Sequence, residues 1–239
     1  MNILITGASG LVGSALAEFL FAAGHSFFSL QRAAGGGDQG FWNFARISDG
    51  GMLPSFDAVI HLAGENIAAG RWTARKKKRI LESRVTGTTE LARFCADLPV
   101  KPRVLISASA IGYYGNRGNE LLTETSTSGT NFVAEVCRAW EDATEPARQA
   151  GIRVVNGRIG MVLSGAGGTL STMLPSFKLG IAGVVGSGEQ YVSWIGIDDL
   201  VRMFLFLLER DDLNGPVNLV APEAVTNRVF TKTLGKVVG

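Results

Sequence analysis

Apolar residues fall along this chain in short unbroken runs separated by stretches with helical periodicity. The runs Ile3-Leu4-Ile5, Phe27-Phe28-Ser29-Leu30, Ala58-Val59-Ile60-His61-Leu62, Arg103-Val104-Leu105-Ile106-Ser107 and Arg153-Val154-Val155-Asn156 predict strands. Most are apolar on both faces, as in a parallel sheet covered by helices. A weaker strand is expected at Phe41-Trp42-Asn43-Phe44. Helical patterns follow the first strand, through Leu11, Leu16 and Leu20, and fill about 73–97, 130–150 and 198–209. Another runs from Phe230 to Val238. Strand–helix alternation predicts an α/β fold, a doubly wound parallel sheet whose ligand crevice lies at the strands' C-terminal ends. Residues 1–164 are expected to form this domain. Residues 165–239, where the pattern turns to short mixed segments, are expected to form a smaller substrate-side lobe, some of it returning to the main sheet. Its last helical pattern runs into the terminus, as in a lobe cut short.

The first predicted strand and helix are joined by Gly7-Ala8-Ser9-Gly10-Leu11-Val12-Gly13. In a strand–turn–helix context, glycines at this spacing are the Rossmann signature. The first permits a sharp turn, the second lets backbone approach a pyrophosphate, and the third lets helix and strand pack closely. The free N–H groups at the helix start then receive the phosphates. An NAD site of this type usually places Asp or Glu about 20 residues beyond the glycines, on the ribose 2′-OH. Here the second strand ends Leu30-Gln31-Arg32, and no carboxylate follows until Asp38. A guanidinium there suits a 2′-phosphate, so NADP(H) is expected. The alternative for Arg32 is an ordinary solvated cation.

Composition narrows the partners. A net charge of +2 over 239 residues is too small to argue for nucleic acid. The basic run Arg75-Lys76-Lys77-Lys78-Arg79 opens a helix with an apolar opposite face, and is read as solvated. Cys95 and Cys137 lie in helical patterns and are read as small buried hydrophobes. His61, on a buried strand, is read as a core residue, and no metal is expected. No signal peptide precedes the first strand and no apolar run reaches membrane-spanning length, so a cytoplasmic protein away from membranes is expected.

These motifs resemble those of the extended short-chain dehydrogenases/reductases. The glycine run, His61-Leu62-Ala63-Gly64, Ser107-Ala108-Ser109 and Trp194-Ile195-Gly196-Ile197-Asp198-Asp199-Leu200 carry the likeness. A closer resemblance is to an atypical branch of the NAD(P)-dependent epimerase/dehydratase-like proteins, the YfcH-like epimerase family proteins. Its marks are Leu62-Ala63-Gly64-Glu65-Asn66-Ile67, Arg71-Trp72, Ser83-Arg84, Ser109-Ala110-Ile111-Gly112-Tyr113-Tyr114-Gly115, Trp140-Glu141 and Gly186-Ser187-Gly188. The resemblance implies cofactor contacts at Gly7, Ser9, Gly10, Leu11 and Val12, with Gln31 and Arg32 at the 2′-phosphate end. Leu62, Ala63, Gly64 and Glu65 would pass beneath the ribose and pyrophosphate, and Arg84 would reach the phosphates unless it is a helix-surface cation. It also implies a small-molecule substrate, with a nucleotide sugar as the inherited expectation, and a glycine loop at 183–188 bordering the substrate pocket.

One element is missing. Short-chain reductases pair Tyr and Lys four apart on one helix, so that the phenol exchanges a proton with a carbonyl. The corresponding segment reads Asn131-Phe132-Val133-Ala134-Glu135-Val136-Cys137. Phe132 stands near the tyrosine's place, and Val136 or Cys137 near the lysine's. Ser109 and Tyr114 are the candidate catalytic substitutes; the alternative is that they only end a strand and pack over the crevice. Glu65 is either an acid/base or a turn cap. Two functions therefore stand: an NADP(H)-dependent oxidoreductase or epimerase-like enzyme with altered proton chemistry, or an inactive NADPH-binding sensor or regulator.

Overall fold

The computed structural model describes residues 1–33, 41–47, 54–68 and 70–238. Asp38 and most of the glycine-rich stretch before Phe41 lie outside the described residues. In chain order, β1 (Asn2–Thr6), α1 (Leu11–Ala22), β2 (Ser26–Leu30), β3 (Ala58–His61), α2 (Ala74–Asp97), β4 (Val104–Ala110), α3 (Phe132–Asp142), α4 (Glu145–Gln149) and β5 (Arg153–Ile159) make the first half. Then come β6 (Met161–Leu163), α5 (Gly168–Lys178), β7 (Tyr191–Val192), β8 (Trp194–Gly196), α6 (Ile197–Glu209), β9 (Gly215–Leu219), β10 (Val225–Thr226) and α7 (Asn227–Val238).

The main sheet runs β2-β1-β3-β4-β5-β9. Every neighbouring pair in it is parallel. The chain passes from β1 outward to β2 and returns to the other side of β1 as β3. The order therefore reverses between β1 and β3, and the crevice opens at their C-terminal ends. One face packs Ile3, Ile5, Ile60 and Ile106 against Leu16 and Leu20 of α1 and Leu200, Phe204 and Leu208 of α6. The other packs Leu4, Val59 and Leu105 against Leu91, Ala92 and Cys95 of α2 and Ala147 of α4. Both faces of the central strands are thus buried, the physical reason they read as continuous apolar runs. β6 pairs with β8, and β7 with β10, in two small sheets beside the main one.

Three local expectations change. Phe41–Phe44 is not a strand; Trp42 forms a single antiparallel bridge to Arg32, and Phe44–Ile47 is a 3₁₀ turn. The helical stretch 130–150 breaks at Ala143-Thr144, where the Thr144 hydroxyl donates to the Glu141 carbonyl at 2.6 Å. Within the basic run, Lys76 is only 6% exposed, while its neighbours Arg75, Lys77, Lys78 and Arg79 are exposed.

Candidate functional site

The crevice begins where β1 ends. Gly7 has φ +74°, and a Cβ there would lie 2.8–3.0 Å from the backbone of Leu62 and Ala63. A Cβ on Gly13 would land on the Gly7 carbonyl oxygen. Gly10 caps α1 without a side-chain hydrogen bond, and the first turn carries no acidic residue. Helix α1 thus offers its first N–H groups and positive end with no acidic side chain in its own first turn. Ser9 and Gly10 are exposed and Leu11 and Val12 half-buried. The glycines and the uncapped amides give the loop the shape and charge a diphosphate requires.

Beyond β3, Leu62, Ala63 and Glu65 are half-buried and Gly64 exposed. His61 braces the floor beneath them. It is fully buried, with Nδ1 2.6 Å from Thr6 Oγ1 and Nε2 2.8 Å from Thr88 Oγ1. Burial first, and the charge of Arg84 second, hold its pKa at about 3. The unfolded chain therefore binds a proton that the folded chain refuses between about pH 6.5 and 3. This contribution is fully present above pH 6.5 and is lost, at about 1.4 kcal/mol per unit, as pH falls through that window. Urea midpoints at pH 7 and 5 should differ more in the native chain than in His61→Gln; equal differences would discard this origin of acid sensitivity.

Gln31 and Arg32 are exposed where β2 gives out. Their backbone is held by bonds from Ala33 N to Phe41 O and Asn43 N to Gln31 O. The Phe41 and Trp42 amides donate in turn to the Glu90 carboxylate, at 2.7 and 3.1 Å, and Trp42 Nε1 to the Gly87 carbonyl at 2.7 Å. Glu65 does not stand free as an acid. Lys76 Nζ donates to it at 2.7 Å, and Arg79 lies 3.4 Å away. The Lys76 bond, chiefly, holds its carboxyl below the usual range, with Arg79 and Arg32 adding to the effect.

Arg84 is drawn inward, with its Nη1 donating to the carbonyls of Glu65 at 3.1 Å and Ile80 at 3.2 Å. Its guanidinium lies over the Trp140 ring at 4.8 Å and against Gly64, where a Cβ would come within 3.2 Å of it. Burial lowers its pKa. No carboxylate pairs with it among the described residues. Beside it lies a narrow apolar pocket walled by Trp72, Ala110, Phe132, Val136, Cys137 and Trp140. The Phe132 ring meets Trp72 edge-on at 5.8 Å, and Lys77 Nζ sits 5.1 Å from its centroid. Burial pushes the Cys137 thiol up to about 11, so it is no thiolate nucleophile at neutral pH.

Ser109 and Tyr114 come together, but in a closed network. The Ser109 hydroxyl donates to Glu141 Oε1 at 2.6 Å, and Tyr114 OH donates to Asn218 Oδ1 at 2.7 Å. Arg158 joins them, giving Nε and Nη2 to Glu141 at 2.9 Å each and Nη1 to Tyr114 OH at 2.9 Å. Its guanidinium also stacks 3.5 Å from the Tyr113 ring centroid. Burial opposes the Arg158 charge, but the bonds to Glu141 and Tyr114 outweigh it and raise the pKa. Ser109, Tyr114 and Arg158 are each no more than 3% exposed. Arg158 is the site residue sequence reasoning did not single out; Glu141 entered only as part of the Trp140-Glu141 mark and Lys76 only as one of a solvated basic run. The available signal for Arg158 was a charge at the buried end of a mainly apolar strand. The 183–188 loop turns through Gly186 and Gly188, both with positive φ, and is tied to α7 by Arg228 Nη2 donating to the Ser187 carbonyl.

A six-stranded parallel sheet with a glycine-lined cradle at its switch point defines the dinucleotide-binding class of doubly wound proteins. The NAD dependent epimerase/dehydratase family matches over residues 3–220. The chain belongs to that family. It is 44% identical to an epimerase family protein, Mb2239, of Mycobacterium bovis, covering 99% of this chain and 78% of the relative. The human epimerase family protein SDR39U1, solved with NADPH, superposes with a TM-score of 0.88 at 32% identity, covering 100% of this chain and 80% of that one. A nucleoside-diphosphate sugar epimerase from Corynebacterium glutamicum gives 0.82 at 40% identity, covering 98% of this chain. The present chain spans about half, 49%, of that structure's length. Among the described residues no helix is long and apolar enough to cross a membrane.

Proposed function

We propose that this chain is an NADP(H)-binding member of the atypical short-chain dehydrogenase/reductase branch, acting as an oxidoreductase on a small-molecule substrate in the crevice. The observation that carries the reading is the pairing of a bare α1 N-terminus with an exposed guanidinium at the end of β2. Gly7, Ser9, Gly10, Leu11 and Val12 would hold the diphosphate. Leu62 to Gly64 would lie under the adjoining ribose. Gln31 and Arg32 would take the 2′-phosphate end, where a guanidinium forms charge-assisted bonds to phosphate oxygens. The NADPH in the human relative supports the choice of cofactor. When bound, the nicotinamide supplies hydride transfer; this chain's residues would bind, orient and shield it.

Arg32→Ala is expected to raise the NADPH Kd at least tenfold, about 1.4 kcal/mol, while changing the NADH Kd less than threefold. Titration by cofactor fluorescence reads both. Equal losses would refute the 2′-phosphate assignment.

A second reading, a binder of NADPH without turnover, is favoured by one observation. The Ser109 and Tyr114 hydroxyls are already engaged in the buried network, and by resemblance Phe132 falls near the place of the missing phenol. Ser109 and Tyr114 are then positioning residues for the crevice wall.

A further inference from the structure

Lys76 sits against every local preference of its position. It is the third residue of α2, and its N–H donates to the capping Thr73 side chain at 3.2 Å. The first turn of a helix favours acidic side chains, and α2 has none there. The neighbours Arg75, Lys77, Lys78 and Arg79 are all cationic. The Lys76 side chain is buried all the same, although burial costs an ammonium its water. Among the described residues its Nζ has one partner, Glu65 Oε1 at 2.7 Å. A buried ion pair is weak evidence of a stabilising role, because packed apolar side chains do as well or better. Local rules broken without a gain in stability are expected where function needs them.

Glu65 is fastened to α2 at three places. Its N–H donates to Ser83 Oγ at 3.0 Å, its carbonyl accepts from Arg84 Nη1 at 3.1 Å, and its carboxylate takes Lys76. Ser83 and Arg84 grip main-chain atoms, which almost any residue at 65 would offer. Lys76 grips the side chain. At the other end of the segment, Leu62 N donates to the Thr6 carbonyl at 3.1 Å and Ala63 N to Thr6 Oγ1 at 3.3 Å. Residues 62–65 are thus strung between β1 and α2. Between those ties the Leu62–Ala63 backbone closes on Gly7, leaving no room for a Cβ. The anchorage of Glu65 therefore governs how closely this segment stands against the glycine loop.

We propose that Lys76 is a positioning residue for the dinucleotide, acting through Glu65 to hold the 62–65 segment against the glycine loop. The inference rests on the NADP(H) reading of the crevice and adds to it a residue that does not touch the cofactor. A pre-set segment spares the cofactor the cost of ordering it. The segment would serve the part of the molecule that NADPH and NADH share, so its loss should fall on both alike, unlike that of Arg32. Simple attraction predicts something different. Removing the Glu65 carboxylate from beside a diphosphate would tighten binding by Coulomb's law, whereas removing an anchor loosens it.

Cofactor fluorescence titration of the native chain, Glu65→Ala, Lys76→Met and the double variant tests this. Each single change is expected to raise the Kd roughly fivefold or more, for NADPH and NADH alike, and the double variant should lie within about twofold of the larger single effect, because both cut the same tie. The double variant should melt close to the native chain, since no charge of the pair is left unanswered. A merely structural pair would give the reverse, lowered melting with native affinity. Tighter NADPH binding by Glu65→Ala, a loss confined to NADPH, additive losses, or native affinity in the double variant would each overturn the proposal. If a single variant does not fold, the double variant against the native chain still decides. A native chain that binds neither dinucleotide would sink the cofactor reading itself, whereas native binding that these changes leave untouched sinks this inference alone.

Discussion

Glu141→Ala is expected to destabilise the protein by about 3–5 kcal/mol, the range for removing one partner of a buried ion pair. In a domain of this size that lowers the melting temperature by roughly 6–20 °C. The cause is the Arg158 guanidinium, only 2% exposed, which loses both bonds to the carboxylate and keeps Tyr114 OH and the Glu124 carbonyl. Ser109 loses its acceptor in the same step. The double variant Glu141→Leu/Arg158→Met should recover much of the loss, because no unpaired charge remains. A single-variant loss under 1 kcal/mol by urea unfolding would show that water reaches and solvates Arg158 after the change.

Gly13→Ala should strike both stability and cofactor binding. The added methyl would fall on the Gly7 carbonyl oxygen, and Gly7 is itself pinned between its positive φ and the Leu62–Ala63 backbone. Neither partner can yield without moving the loop off β1. Overpacking of this kind costs about 1–3 kcal/mol. Displacing the loop also disturbs the N–H groups presented to a diphosphate, so NADPH affinity should fall more than tenfold. Alanine is the better helix former, so an exposed site would have gained stability instead. Unchanged melting together with unchanged NADPH titration would remove the close-packing role of Gly13.

Much of this architecture was legible because the central strands are buried on two faces. Ile3-Leu4-Ile5 and Ala58-Val59-Ile60 announce themselves by composition alone. β9 was not legible as a strand of its own. It is a sheet-edge strand opening Gly215-Pro216, and proline reads as a breaker although an edge tolerates it. The cradle was readable from glycine spacing, since three glycines answer three local steric demands. The Glu141–Arg158–Tyr114 network was not, because its members lie 17 and 44 residues apart and meet only after β4, β5 and α3 are assembled. Lys76 was hidden differently. Its neighbours in the basic run are exposed, and only helical phase turns this one amine inward toward Glu65.

Helix α2 carries both Glu90, which fastens the strip bearing Phe41 and Trp42, and Arg84, which faces the apolar pocket. Six residues of helix separate them, about 9 Å along a stiff rod. That rod is a shared chassis: the strip beside Gln31 and Arg32 and the apolar pocket's one guanidinium are both bolted to it. Replacing Glu90 to move the strip is therefore expected to shift Arg84 as well.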